Sequence, residues 1–379
     1  MQPDYEVADI LNRNKNCLKE ITKNTWQLRT LYALAACRTA LMGGHIDKCS
    51  NKNCGYILIS YNSCRNRHCP KCQGHKQEEW IYKREEELIK VPYYHMVFTL
   101  PAEFNHYALF NPKLLYGLLF KVAWSVIRGF AQNPKFMGAK TGMISILHTW
   151  GQNLSLHPHL HCIVPGGGLN NKKWKFAKGK DKYLFPVKAM SKVFRARFME
   201  EMRKHVSIKH NVSTALFKKN WVVYCKRPFF GAQQVIEYLG RYTHKIAISN
   251  HRILNIDNNS VRFVYRDSRD YRKEKPITLT GVEFLRRFCM HILPRGFVKI
   301  RYYGIMSSRY AKRTILLCKR TSNRPKEKES VGERLKRITG FDMLLCPFCK
   351  KGRMQTIEII PRIRSPCHLS RLKANQLSV

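Results

Sequence analysis

The stretch Leu156-His157-Pro158-His159-Leu160-His161-Cys162-Ile163-Val164, closed by Pro165 and the glycines Gly166 to Gly168, leaves few arrangements open. In a strand, successive side chains point to opposite faces. His157, His159 and His161 are therefore expected on one face, with Leu160, Cys162 and Val164 on the other. Imidazole is the commonest side-chain metal ligand, and two rings one residue apart on a rigid strand can converge on one cation. A strand whose rings only hydrogen-bond locally is the plainer alternative.

The rest of the chain sets the setting for such a strand. Its 379 residues exceed one ordinary core and imply two or three domains. Lys and Arg number 69 against 25 Asp and Glu, a formal charge of +44. That excess points to a polyanion partner, and the interleaved aromatics suit nucleic acid better than a membrane surface. The N-terminus has no charged-then-apolar leader, and no apolar run is expected to reach the length of a membrane span. A cytoplasmic, nucleoid-associated protein is expected. The 14 cysteines then sit in a reducing compartment, where clusters hold metal more often than they form disulfides.

Residues 5–42 read as helical, with Trp26, Leu28, Leu31, Leu34 and Ala35 as an apolar stripe. A cysteine cluster follows: Cys49, Cys54, Cys64, Cys69 and Cys72. A structural zinc site needs four soft ligands in a closed tetrahedron. Cys49, Cys54, Cys69 and Cys72 are the leading tetrad, with Cys64, His45, His68 and His75 as substitutes or a second site. Arg65, Arg67 and Lys71 between the ligands suggest phosphate contacts. Residues 76–90 read as an exposed charged helix.

Beyond it, strands at 93–100, 143–150, 157–164 and 221–225 alternate with helices at 114–130 and 188–205. The order β-α-β-β-α-β is the ferredoxin-like one, an α+β fold with an antiparallel sheet and helices on one face. A helix is expected at 233–245, where Tyr238 and Tyr242 share a face; a packing stripe and a chemical role both stand at this point. A hairpin at 246–254 and 261–266, a strand near Ile277, a helix at 282–293 and the segment 296–304 follow. Residues 321–334 read as a linker. Cys346 and Cys349 make half a zinc ribbon, which Cys367 and His368, or Cys318, could complete. The expected domains are 1–90 (helical and zinc-binding), 91–310 (catalytic) and 311–379 (basic tail).

No phosphate-cradling Gly-Lys-Ser/Thr loop, no G-x-S-x-G elbow and no carboxylate triad is present. No nucleotide cofactor is therefore expected. What remains is a metal held by imidazoles and a hydroxyl nucleophile in a basic fold. Such a cation polarises a phosphoryl oxygen, and a tyrosine hydroxyl can attack phosphorus and conserve the phosphodiester as phosphotyrosine.

Several blocks together resemble the rolling-circle transposases of the insertion sequence 91 family, two-tyrosine HUH endonucleases. They are Ser63-Cys64-Arg65-Asn66-Arg67-His68-Cys69-Pro70-Lys71-Cys72-Gln73, His157-Pro158-His159-Leu160-His161, and Tyr238-Leu239-Gly240-Arg241-Tyr242-Thr243-His244, with Ala247 to Arg252 and Leu293 to Phe297. The resemblance spans residues 10 to 310. It implies an N-terminal structural Zn2+ and an HUH nuclease domain acting on single-stranded element ends. It also implies His159 and His161 as ligands of a catalytic Mg2+ or Mn2+, and Tyr238 and Tyr242 as nucleophiles beside the basic Arg241 and Lys245. The third ligand stays open among His157, His148 and Gln152. A replication initiator or relaxase with the same core, or a non-catalytic zinc DNA-binding protein, are the rival readings.

Overall fold

A computed structural model describes residues 3–73, 88–89, 91–179, 183–226, 246–257, 259–267, 270–310 and 344–363, with Trp80, Gln234, Gly240, Gly332, Glu333, Lys336, Arg337, Gly340 and Asp342. The helices expected at 76–90 and 233–245 lie almost wholly outside these residues. So do Tyr238, Tyr242, Arg241, Lys245, His75, Cys318, Cys367 and His368.

The N-terminal helical stretch is broken rather than continuous. Helix α1 spans Val7–Arg13 and α2 spans Thr25–Ala35. Asn24 caps α2, its side chain accepting from the amides of Trp26 and Gln27, which fixes the start of the helix. Strands β1 (Gly44–Cys49) and β2 (Ile57–Tyr61) then pair antiparallel.

Strand β3 is Tyr93–Thr99, and helix α3 is Pro112–Gln132, opened by an Asn111 cap and a proline in its first turn. Strands β4 (Gly142–Trp150) and β5 (Leu156–Pro165) follow. The hairpin of β6 (Gly167–Asn170) and β7 (Lys173–Phe176) comes next, then helices α4 (Val187–Arg203) and α5 (His210–Lys218), and β8 (Val223–Cys225). Gly168 explains part of the glycine run: a Cβ there would lie 2.5 Å from the Lys140 carbonyl oxygen.

The central sheet has five strands, and its order is completed by β12 (Ile300–Gly304): β12-β4-β5-β3-β8, antiparallel throughout. Leaving β12 aside, this is the expected ferredoxin-like arrangement. Its parity divides the two faces. Met96, Phe98, Leu147, Leu160, Cys162 and Val164 join α3 and α4 in the main core, while Tyr93, Ile144, Ile146 and Ile163 belong to a smaller core opposite. Helix α3 is long and apolar enough to cross a membrane by length and composition, contrary to the sequence expectation. Leu119, Phe120, Ala123 and Ile127 are instead buried in the main core.

Strands β9 (Ile253–Ile256), β10 (Ser260–Arg266) and β11 (Glu274–Thr280) form a meander closed by helix α6 (Gly281–Cys289). The first strand is shorter than expected because Asn250–Arg252 forms a 3-10 turn. This meander shares a core with α1 and α2: Ile10, Leu11, Leu31 and Leu34 pack with Ile248, Phe263, Phe284 and Phe288. The last strand, β13 (Met354–Ile360), pairs with β1, giving the sheet β13-β1-β2. The N-terminal segments thus share a core with the meander and a sheet with β13, across both boundaries drawn from sequence at residues 90 and 311.

Candidate metal centres and the histidine face

On the central sheet the odd-numbered histidines of β5 lie on the face away from α3 and α4. The register sets His148 of β4 directly opposite His159, and His148, His159 and His161 bring one ring nitrogen each within 4.8 Å of one another. His148 is 3% exposed and His161 8%, while His159 is half-buried. His157 shares the face but is exposed and stands outside this group. The reason is spacing: His157 lies four residues from His161, about 13 Å along the strand, whereas His148 sits across from His159 and its ring is 4.6 Å from that of His161. The triad therefore forms across the hairpin, with His148 where the sequence preferred His157. Gln152 is exposed, and its backbone carbonyl oxygen accepts from Arg252.

The outer nitrogens are also committed. His159 Nδ1 lies 2.7 Å from the His157 carbonyl oxygen and can only donate to it, leaving Nε2 to face a cation. His161 Nδ1 lies 2.9 Å from Nε2 of His95, a buried residue of β3 whose ring stacks on His161. Burial, with the charges of Lys226 and His159 nearby, pushes His95 down to about 4. Neutral rings with outer hydrogen bonds that set their orientation are what metal-binding histidines need. Three imidazoles fit a borderline divalent ion directly and Mg2+ only with oxygen ligands added. His95 carries no motif, and sequence reasoning missed it.

The cysteines are paired differently from the sequence expectation. One cluster is Cys37, Cys64, Cys69 and Cys72; the other is Cys49, Cys54, Cys346 and Cys349. The leading tetrad is split between them, and the C-terminal pair is completed by the N-terminal one. A Zn–S bond of about 2.3 Å sets a tetrahedron edge of about 3.8 Å. The Sγ separations match it: Cys37–Cys72 3.6 Å, Cys64–Cys72 3.7 Å and Cys37–Cys69 3.5 Å in the first cluster. In the second, Cys49–Cys349 is 3.7 Å and Cys54–Cys346 is 3.9 Å. Backbone amides of Cys64, Asn51 and Gly352 point at sulfurs, as thiolates require. Both sets fit structural Zn2+. Gly352 is required by the second: a Cβ there would lie 2.4 Å from Cys49 Sγ.

His68, Arg67 and Lys71 have other work. His68 Nε2 accepts from the Leu293 amide at 3.3 Å, and Trp26 Nε1 donates to the Leu293 carbonyl at 3.0 Å. Arg67 donates to the carbonyls of Pro294 and Phe297. Lys71 pairs with Glu6 and reaches the Cys37 carbonyl. Arg65 is exposed. Residues 293–297 are thus a joint: the N-terminal unit holds their backbone, and Phe297 packs on Tyr116 and Phe120 of α3. Arg67→Ala is expected to lower stability by about 1.5–3 kcal/mol, the range for hydrogen bonds from a charged donor. DNA affinity should stay within twofold. A parallel loss of DNA affinity without a change in unfolding midpoint would mark Arg67 as a phosphate contact instead.

The joint also carries a pH dependence. His291 is buried, donating from Nε2 to the Leu154 carbonyl and accepting from the Thr149 hydroxyl. Burial lowers its pKa to about 4, and desolvation, reinforced by Arg67, lowers that of His68 to about 3. Unfolded histidine takes its proton near pH 6.5. Below that the unfolded state binds more protons, so this contribution to stability is complete above about pH 6.5 and is lost as pH falls toward 4 and 3. Each histidine adds a slope of up to about 1.4 kcal/mol per pH unit. Denaturant midpoints between pH 7 and 5 should fall less steeply for His291→Gln than for the parent chain; equal slopes would count against this.

Two four-cysteine clusters of zinc geometry and a histidine-lined sheet face, in a chain of net charge +44, define the class of a zinc-binding protein with a polyanion partner. Comparison with known proteins gives that class a family. The model described as "Transposase zinc-binding domain" matches residues 10–100, and the one described as "Putative transposase" matches residues 142–314. A Sinorhizobium fredii protein named "Putative transposase y4qJ" is 38% identical over 95% of this chain and 97% of its own length. The "Transposase for insertion sequence element IS801" of Pseudomonas savastanoi pv. phaseolicola is 27% identical over 88% of this chain and 84% of its own. No solved structure matches. The chain belongs to the insertion sequence 91 family of transposases, with an N-terminal zinc-binding domain, and its partner is DNA. Neither family match reaches Cys346 and Cys349.

Proposed function

We propose that this transposase is an HUH-type nickase and strand transferase that moves its element by a rolling-circle route on single-stranded ends. The observation that carries the reading is the convergence of His148, His159 and His161 on one sheet face, with the outer nitrogens of His159 and His161 held by the His157 carbonyl and by His95. A bound Mg2+ or Mn2+ would supply charge to a non-bridging oxygen of the scissile phosphate. Of the chain's own groups, the three imidazoles fix where that phosphate sits. The tyrosines Tyr238 and Tyr242, in residues outside those described, are the nucleophiles.

In the first step a tyrosine oxygen bonds to phosphorus, the bond from phosphorus to the 3′ oxygen breaks, and the phenolic proton passes through solvent to the departing 3′ oxygen. The 5′ end is left on tyrosine and a 3′ hydroxyl is released. A 3′ hydroxyl reverses the step by attacking the phosphotyrosine, so no nucleotide cofactor is needed. The second tyrosine, four residues away in the sequence, can accept a new phosphate while the first is occupied. The DNA of a cytoplasmic nucleoid is the substrate pool this reading implies.

A denaturation-resistant protein–DNA adduct on a labelled single-stranded element end, formed only with Mg2+ or Mn2+, tests the reading. Tyr238→Phe and Tyr242→Phe should each stop transposition, and the double variant should form no adduct. Adduct formation by the double variant would refute the assignment.

A further inference from the structure

The composite zinc ribbon has a tip that zinc binding does not require. Its two ligand loops, residues 49–54 and 346–349, converge on one four-cysteine cluster, so both loop backbones are held rigidly. Of the two residues between the last pair of ligands, Phe348 is 73% exposed. Its ring lies parallel to that of Tyr56, within 1° and 5.8 Å between centroids. Only the cysteine spacing is needed for the metal, so an aromatic held outward at a rigid tip calls for another cause.

The surroundings point to the cause. Lys52, Lys350, Lys351 and Arg353 on these loops are all exposed, as is Lys48 beside them. Zinc with four thiolates carries a net charge of about −2, which these five cations exceed by three. The segments 48–56 and 344–353 contain no acidic residue. Cations around an exposed ring backed by a parallel, half-buried one is the composition that binds single-stranded nucleic acid, since every base has a face to stack and every phosphate a charge to neutralise. A duplex hides its base faces and offers only its phosphates to such a surface.

We propose that Phe348, backed by Tyr56, is a stacking platform for unpaired bases of DNA, with Lys52, Lys350, Lys351 and Arg353 holding the flanking phosphates. The site is remote in sequence from the histidine face and would hold the strand rather than cut it. It does not depend on the nicking reading: it requires only that the chain bind DNA.

The test uses the full zinc-loaded chain with no Mg2+ or Mn2+ added, so that cleavage plays no part. The probe is a 12-nucleotide oligothymidylate, compared with a mixed-sequence duplex of equal length. Phe348→Ala should weaken binding of the oligothymidylate about 5- to 150-fold, the range for loss of one aromatic–base stack, and leave duplex binding within twofold. Phe348→Trp should keep single-strand affinity, and its added tryptophan emission should be quenched on titration with oligothymidylate and not with duplex. Zinc content is measured for each variant. If Phe348→Ala loses zinc, the tryptophan variant decides alone. Unchanged single-strand affinity, an equal loss on duplex, or tryptophan emission indifferent to the oligonucleotide would each overturn the proposal.

Discussion

Alanine in place of His148, His159 or His161 is expected to lower metal-dependent nicking by at least about 10²- to 10³-fold, while zinc content and DNA affinity stay near those of the parent chain. Charge stabilisation by a bound metal is worth several kcal/mol in a phosphoryl transition state, and each 1.4 kcal/mol is tenfold in rate. DNA affinity comes from the many lysines and arginines, so removing one neutral imidazole should barely alter it. His157→Ala is the internal control. Its backbone carbonyl, which accepts from His159, survives the substitution, and its ring lies outside the triad. A nicking loss in His157→Ala as deep as in His148→Ala would mean that the ligand set is the one read from the strand alone. Nicking and DNA binding failing together in all three variants would instead mean a structural role for the histidine face.

Removing the C-terminal zinc ligands is expected to have the largest effect on structure. Cys346→Ser should lower zinc content from two ions per chain to one and release β13 from β1, opening residues 344–363 to protease. Structural zinc contributes about 10–16 kcal/mol to folding in small zinc modules. The strand pairing between β13 and β1 alone has little apolar burial behind it, since Ile357 and Ile359 are 57% and 75% exposed. Cys69→Ser should act elsewhere. Cys69 is buried in the core shared by α1, α2 and the meander, so its loss should lower the unfolding midpoint of the N-terminal unit. Zinc content of two in Cys346→Ser, or equal protease patterns for the two variants, would refute the division into two clusters.

How much of this was legible before any fold was known differs by residue. The α+β order and the parity of β5 were readable because strand and helix periods act over a few residues. Phe98 and Leu160 face the helices for the same reason that His159 and His161 face away. The break in the N-terminal helix was signalled only weakly, by Asn14 and the Asn24 cap. Cys37 was not readable as a ligand, since it stands alone at the end of α2, 27 positions before Cys64, with no second cysteine beside it. Nor could Arg67 be told from a phosphate contact, because its partners are carbonyls some 230 positions away.

The sequence by itself therefore determined the kinds of chemistry: soft thiolate ligands for zinc, imidazoles on one strand face, and a charge of +44 for a polyanion. Composition and local period are properties of the chain, and they survive any way of folding it. Only the tertiary structure decided which of these groups come together. The β4–β5 register chose His148 over His157, and the pairing of β13 with β1 joined Cys346 and Cys349 to Cys49 and Cys54. Coordination is satisfied by distance in space, and a strand register shifted by one residue would send His148 to the opposite face of the sheet.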